Sequence, residues 1–267
     1  MTYYYGTSGN DYYDHSGYDS LFAQGYAGND FIWGNFANDT IHGGDGEDTL
    51  QGFSGNDVIY GDNDHDELYG EGGNDTLYGG YGSDFLYGGD GDDYLDGGTP
   101  SAYDTSSDAL YGGAGNDYLL GGLVHDYLHG DAGDDTLNGY QGDDYLYGGE
   151  GHDVIYGGDG HDRISGFFGT DMQYDTLYGG TGNDTFILGD SYGTFYQGSL
   201  GYATIADWEW QNDYIEVAGY ASDYSLTVGD YGIGGYASDT GIYYGNELIA
   251  VVQDSMNVNI TRDFQFV

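Results

Sequence analysis

An aliphatic side chain returns along this chain at nearly fixed intervals: Ile32, Ile41, Leu50, Ile59, Leu68, Leu77, Leu86, Leu95, Leu110, Leu119, Leu128, Leu137, Leu146, Ile155, Ile164 and Leu177, with Phe186 closing the series. Each is the eighth residue of one word, Gly-Gly-x-Gly-x-Asp-x-aliphatic-x, and the cleanest copies lie at 88–96, 112–120 and 148–156. Seventeen words run without a linker over 25–187; fifteen are nine residues long, while those at 97–111 and 166–178 carry insertions of six and four. A fixed period over most of a chain predicts stacked, identical structural units. The last three residues of the word predict a short strand with position eight facing inward. Two words then make a coil of eighteen residues with two strands and two turns, and the coils stack ~4.8 Å apart as parallel strands.

The polar positions assign the turns a chemistry. Glycine at positions one, two and four allows positive φ and close backbone approach, so carbonyls can gather on the inside of a sharp turn. Candidate carbonyl donors are turn residues such as Gly44, Gly46, Gly80, Gly82, Gly89, Gly91, Gly113, Gly115, Gly149, Gly151, Gly158 and Gly160. Aspartate at position six sets an anionic oxygen beside them: Asp30, Asp39, Asp48, Asp57, Asp66, Asp75, Asp84, Asp93, Asp108, Asp117, Asp126, Asp135, Asp144, Asp153, Asp162, Asp175 and Asp184, with Asp11 in a weaker word at 6–14. Oxygen-only ligation with several carbonyls favours Ca²⁺ over Mg²⁺ or the transition metals.

Repeated in register, this word resembles the nonapeptide of the RTX family of calcium-binding parallel β-roll proteins. The resemblance covers roughly 25–187, with the weaker start at 6–14 and a degenerate turn around 17–22. It implies an all-β fold, a right-handed parallel β-roll solenoid of calcium-binding repeats with a C-terminal β-rich cap. It also implies that each Ca²⁺ sits between turns of adjacent coils, shared by the position-six aspartates of words n and n+2 and by backbone carbonyls. Seventeen words would then allow up to about fifteen internal sites. Ala37, Asp64 and Val124, which replace the position-four glycine, mark poorer turns, as do the two insertions. The family further implies export through a type I channel by an uncleaved C-terminal signal, which Thr261-Arg-Asp-Phe-Gln-Phe-Val267 resembles.

Charge sharpens this picture. The formal net charge is −45, from 47 acidic residues against Arg163 and Arg262. About fifteen Ca²⁺ would leave about −15, still favouring solubility; without metal, such dense like charge and low hydropathy predict disorder, so that metal binding is the folding reaction. A polyanion is a poor partner for nucleic acid or an anionic membrane. With no cysteine there is no disulfide framework or thiolate site. No basic, apolar leader opens the chain and no apolar run is long enough to span a bilayer. Calcium sites filled at millimolar concentration nonetheless point outside the cell.

No His-Glu-x-x-His or Gly-x-Ser-x-Gly occurs, so no enzymatic activity is expected. His65, His125, His152 and His161 occupy position five and read as exposed turn residues in place of the usual asparagine. Tyrosine is abundant, with 33 copies; Tyr60, Tyr69, Tyr78, Tyr87, Tyr111, Tyr147, Tyr156 and Tyr178 at position nine are expected to form outward ladders. Such faces could associate with one another or stack on sugar rings.

These observations divide the chain into degenerate N-terminal repeats at 1–24, the roll at 25–187 and a capping, signal-bearing region at 188–267. The reading is a secreted, calcium-binding structural protein, a homo-oligomer or homopolymer of an extracellular fibre, surface layer or matrix. The alternative is a non-catalytic polysaccharide-binding module. Self-association is expected at the first coil, where Asp11 and Asp19 or Asp30 would present half-filled turns, unless Tyr3, Tyr4, Tyr5, Tyr12 and Tyr13 fold over it. Asp93 and Asp153 are expected to matter more for folding than Asp223 or Asp239.

Overall fold

A computed structural model describes residues 1–98, 106–167, 173–190, 193–196, 201–233 and 238–267. The inserted segments 99–105 and 168–172 therefore lie outside the described residues. Contacts divide the chain into two compact units, Met1–Ala132 and Gly133–Val267.

Met1–Ala132 is built from two parallel sheets whose strands alternate along the chain. One holds Leu21–Ala27, Thr40–Asp45, Val58–Asn63, Thr76–Tyr81, Tyr94–Gly98 and Tyr118–Gly122; the other holds Phe31–Asn35, Thr49–Ser54, Glu67–Gly72, Phe85–Asp90, Ala109–Ala114 and Tyr127–Ala132. Each strand pairs with the strand two words on, so Ile41 faces Ile59 and Leu50 faces Leu68 across the ladder. This is a parallel β-solenoid, as the nine-residue period requires. Position eight alternates inward, and the residues Ile32 through Leu128 named above are all fully buried. Each such side chain contributes about 1.5–3 kcal/mol by leaving water.

The strands are longer than the three residues the word suggested. Thr40–Asp45 runs from position seven to position three of the following word, leaving positions four to six for the turn. Pairing skips position one, as between Tyr87 and Gly89 opposite Tyr111 and Gly113. The glycine there has an ordinary φ: left-handed φ belongs to position two, as in Gly44 (122°), and position four, as in Gly46 (120°). Position one is glycine for another reason, since a Cβ on Gly43 would collide with Oδ2 of Asp48.

Residues 1–24 form one more coil. Thr2–Tyr5 pairs with Leu21–Ala27 and Tyr12–Asp14 with Phe31–Asn35, both parallel. Tyr4 and Tyr13 occupy the core position and stack 4.1 Å apart across the roll, closing the aliphatic column. Tyr3, Tyr5 and Tyr12 remain exposed, so only two of the five tyrosines shield this end. Asp19 is not in the aspartate column: Leu21, fully buried, stands opposite Asp39 there, and Asp19 instead pairs with the N-terminal ammonium.

Within Gly133–Val267 the strands pair by the same rule. Leu177 pairs with Ile205 and Ile205 with Val252; Phe186 pairs with Ile215 and Ile215 with Phe264. The irregular-looking runs after Ile187 are thus coil strands of the same solenoid, followed by the antiparallel strands Asp239–Tyr244 and Tyr224–Gly229. Arg163 ties roll to end region through a 2.9 Å ion pair with Glu216. Asp239 is fully buried and accepts from the N–H groups of Tyr231 and Asp254, so it has a structural role of its own in the end region. Among the described residues, no helix is long and apolar enough to cross a membrane.

Leu68→Ala should cost about 2–5 kcal/mol because the coil above and below cannot collapse into the void. Tyr69→Thr, one residue on and outward-facing, should cost less than about 1 kcal/mol. Urea unfolding of both variants in excess Ca²⁺ checks the ratio.

Candidate metal centre

One carboxylate oxygen per turn is used for structure, and the other is not. The position-six N–H donates to Oδ1 of the aspartate two words on: Asp48 to Asp66, Asp57 to Asp75, Asp75 to Asp93 and Asp144 to Asp162, at 2.7–2.9 Å. The insertions do not break this column, since Asp84 reaches Asp108 and Asp153 reaches Asp175 in the same way. The second oxygen is left over. Oδ2 of Asp30, Asp48, Asp57, Asp66, Asp75, Asp93, Asp153, Asp162 and Asp184 is buried with no hydrogen-bond partner. A buried, unpartnered carboxylate oxygen is costly once, and here it recurs at nine described turns.

The turns at 70–75 and 88–93 show what surrounds it. The carbonyl oxygens of Glu71 and Gly73 face Gly89 and Gly91 of the turn above, where any Cβ would collide with them. The carbonyl of Gly88 faces the opposite way, 2.6 Å from where a Cβ of Gly70 would lie, and Oδ2 of Asp75 abuts the same point. The Gly88 carbonyl and Asp75 Oδ2 thus share one point between the two stacked turns, while the Glu71 and Gly73 carbonyls face the turn above. All twelve carbonyl donors expected from sequence have the left-handed φ that this arrangement needs. So do Tyr26, Phe53, Asp62, Glu71, Asp131 and Tyr140 at position two, despite carrying side chains. The set is hard and oxygen-only, and it fits Ca²⁺. Among the described residues no three His, Cys, Asp or Glu side chains cluster, so an ion held here would take most of its ligands from the backbone.

Burial dominates the electrostatics. It pushes the carboxyls of Asp48, Asp57, Asp93 and Asp162 up to about 7, Asp153 to about 8 and Asp66 to about 9, with neighbouring aspartates adding to the rise and the N–H of the preceding aspartate opposing it.

Other turns are closed by the protein itself. Oδ2 of Asp39 accepts from the N–H of Asn35, whose amide in turn accepts from Ala37. Asp64 keeps the left-handed φ of the glycine it replaces (74°), whereas Ala37 and Val124 do not. Asp11 accepts from Thr7. Oδ2 of Asp175 accepts from the buried hydroxyl of Tyr196. Asp213, three per cent exposed, extends the column, since Asp184 donates to it at 3.2 Å, but its Oδ2 is held by the N–H of Glu209. Asp213-Tyr-Ile215 repeats positions six to eight of the word, and that was the signal available in sequence.

Position five forms a ladder of its own. His65 accepts from the N–H of Ser83, His152 from Tyr174 and His161 from Asn183, as Asn56 does from Asn74. These histidines are exposed, and they replace asparagine because an unprotonated ring nitrogen accepts in the same place.

The family model described as the RTX calcium-binding nonapeptide repeat (four copies) matches residues 22–50, 34–68, 42–77, 69–99, 104–128, 120–155, 129–164, 147–172 and 174–194. The chain belongs to the RTX calcium-binding repeat family. Comparison with curated proteins yields no match. RTX nonapeptides are calcium-binding, and the leftover Oδ2 atoms are where this RTX chain has anionic oxygen to offer.

Without metal, the folded roll holds protons on these carboxyls that an unfolded chain would release above the ordinary aspartate range. Stability therefore falls as pH rises from about 4 toward 9. In chelator, acidification to about pH 4 should increase the β signal in circular dichroism. Asp66→Asn should raise that signal at neutral pH while weakening the response to added Ca²⁺.

Proposed function

We propose that this chain is a non-catalytic, calcium-dependent structural protein that acts outside the cell and folds as its turns take up Ca²⁺. The observation that carries the reading is the buried, unpartnered Oδ2 repeated from turn to turn. Asp30, Asp48, Asp57, Asp66, Asp75, Asp93, Asp153, Asp162 and Asp184 are the residues proposed to hold the ion, with position-one, -two and -four carbonyls. Bound Ca²⁺ supplies positive charge where the carboxylates are desolvated. The chain's part is to hold each Oδ1 on a backbone N–H so that Oδ2 is already aimed. Asp39 and Asp175, whose second oxygens are taken, contribute less, which puts the number of full sites below the fifteen implied by the word count.

Circular dichroism should show an unfolded chain in chelator and a cooperative β signal in millimolar Ca²⁺. Asp93→Ala and Asp153→Ala should raise the calcium midpoint, and Asp223→Ala, in the end region, should not. A β signal unchanged by excess chelator would remove the proposal.

Assembly into a fibre, surface layer or matrix is supported by the first coil. Among the described residues Thr2–Tyr5 pairs with Leu21–Ala27, and Tyr3, Tyr5, Tyr12 and Tyr18 of residues 1–24 are exposed. An uncovered strand edge is a template for another chain. Sedimentation in millimolar Ca²⁺ should show concentration-dependent oligomers that shorten when residues 1–24 are deleted; a monodisperse monomer at high concentration argues against assembly.

Polysaccharide binding along the tyrosine ladders has weaker support. Tyr69, Tyr87 and Tyr111 stack 5.0–5.1 Å apart with nearly parallel rings, as do Tyr60 and Tyr78. Ring faces turned on one another leave only edges and hydroxyls for a sugar, so the ladders act as cross-strand packing.

A further inference from the structure

Trp208 and Trp210 line one cleft in Gly133–Val267. Trp210 is 44% exposed and forms part of two adjoining clefts. In the smaller, of about 320 Å³, the guanidinium of Arg262 lies 5.1 Å from the Trp210 ring centroid. That cation–π contact holds the ring in place. The larger cleft, of about 540 Å³, is lined by Trp208 and Trp210 with Asp207, Gln253, Asp254 and Asn257. Its size falls in the range of small-ligand sites.

The walls of the larger cleft are rigid for reasons visible in the hydrogen bonds. Both oxygens of Asp207 accept from Gly179 and Gly180 N–H groups, at 2.8 and 2.9 Å. Gln253 is held by its N–H to Ile205, Asp254 by its N–H to Asp239, and the carbonyl of Asn257 by Arg262. Asp254 also carries a left-handed φ of 51°, an uncommon conformation for a residue with a side chain that the surrounding bonds impose. The indole N–H of Trp208 is buried without a hydrogen-bond partner, a second sign that this wall is built for something other than internal satisfaction.

We propose that this cleft binds a neutral glycan, with one pyranose ring stacked on Trp210 and its hydroxyls met by Gln253, Asp254 and Asn257. Three features select that class. An exposed indole offers an apolar face to sugar C–H groups. Amide and carboxylate side chains donate to and accept from paired hydroxyls. The lining residues named include two acids and no base, and Arg262 beside Trp210 is already paired with Asp263, so an anionic sugar or phosphate is disfavoured against an uncharged one. The site differs from the tyrosine ladders in having a ring whose face is not stacked on another ring. It also stands apart from the calcium reading, because the residues of the cleft are not the aspartates proposed to hold the ion.

The test uses the full calcium-loaded chain, titrated with cellohexaose, laminarihexaose, mannohexaose and chitohexaose, and with an oligoguluronate as anionic control, by calorimetry and tryptophan fluorescence. At least one neutral hexasaccharide should bind and shift the emission, and the oligoguluronate should not. Trp210→Ala should weaken binding at least about tenfold, as loss of a central tryptophan contact does, and Tyr69→Ala should leave affinity unchanged. Trp210→Phe keeps an aromatic ring beneath Arg262 and should bind with intermediate affinity, which covers the case in which the alanine variant misfolds. Failure of all four neutral sugars, preference for the oligoguluronate, or full affinity in both Trp210 variants overturns the proposal. The calcium-dependent β signal, read on the same samples, reports separately on folding.

Discussion

A carboxylate buried beside backbone carbonyls is the constraint from which the rest of this structure follows. An aspartate such as Asp93 gives one oxygen to the N–H of Asp75, a coil earlier, and leaves the other buried without a hydrogen-bond partner. The first contact fixes register between coils; the second makes the register unfavourable at neutral pH unless charge is neutralised. Both halves come from one side chain, so coil stacking and the charge of that buried oxygen cannot be separated. Position-one glycine belongs to the same constraint, because the aspartate oxygen occupies the space a Cβ would take.

The hydrophobic column alone could not hold the roll. It is one side chain deep per strand, and its burial must offset the ordering of glycine-rich turns with the largest entropy to lose. With 47 acidic residues against two arginines, the chain also repels itself in any compact state. Ion binding as proposed would change both terms at the same place. It also explains why the chain tolerates tyrosine, phenylalanine or glutamate in a left-handed conformation at position two: the carbonyl matters there more than the side chain.

Turns that lack an open Oδ2 occur where the repeat begins, where it is irregular and where it ends. Asp11 and Asp39 are satisfied by Thr7 and Asn35 near the start; Asp175 and Asp213 by Tyr196 and Glu209 N–H toward the end. Protein donors there do what an ion is proposed to do in the middle. Solenoid ends commonly depart from the repeat because their neighbours differ on the two sides. Aromatic packing departs from the aliphatic pattern in each unit, with Tyr4 stacked on Tyr13 in Met1–Ala132 and Phe264 packed with Phe266 and Tyr224 in Gly133–Val267.

The period itself determined the parallel coil, the inward aliphatic column, the aspartate column and the oxygen chemistry of the turns, because each is a consequence of one residue type recurring at one spacing. The histidines at position five and the tyrosines at position nine were legible for the same reason. What the period could not reveal is how one side chain divides its two oxygens, since that depends on a neighbour eighteen or more residues away. Tertiary structure decided that position-one glycine serves close approach and not positive φ. It decided that Leu21 stands in the column where Asp19 was expected, and that Asp213 extends the column beyond the last full word. The Trp210 cleft lies in the same class. Its walls come from 206–210 and 253–257, segments without a shared motif, and only the paired strands Tyr202–Ile205 and Glu247–Val252 bring them to one place.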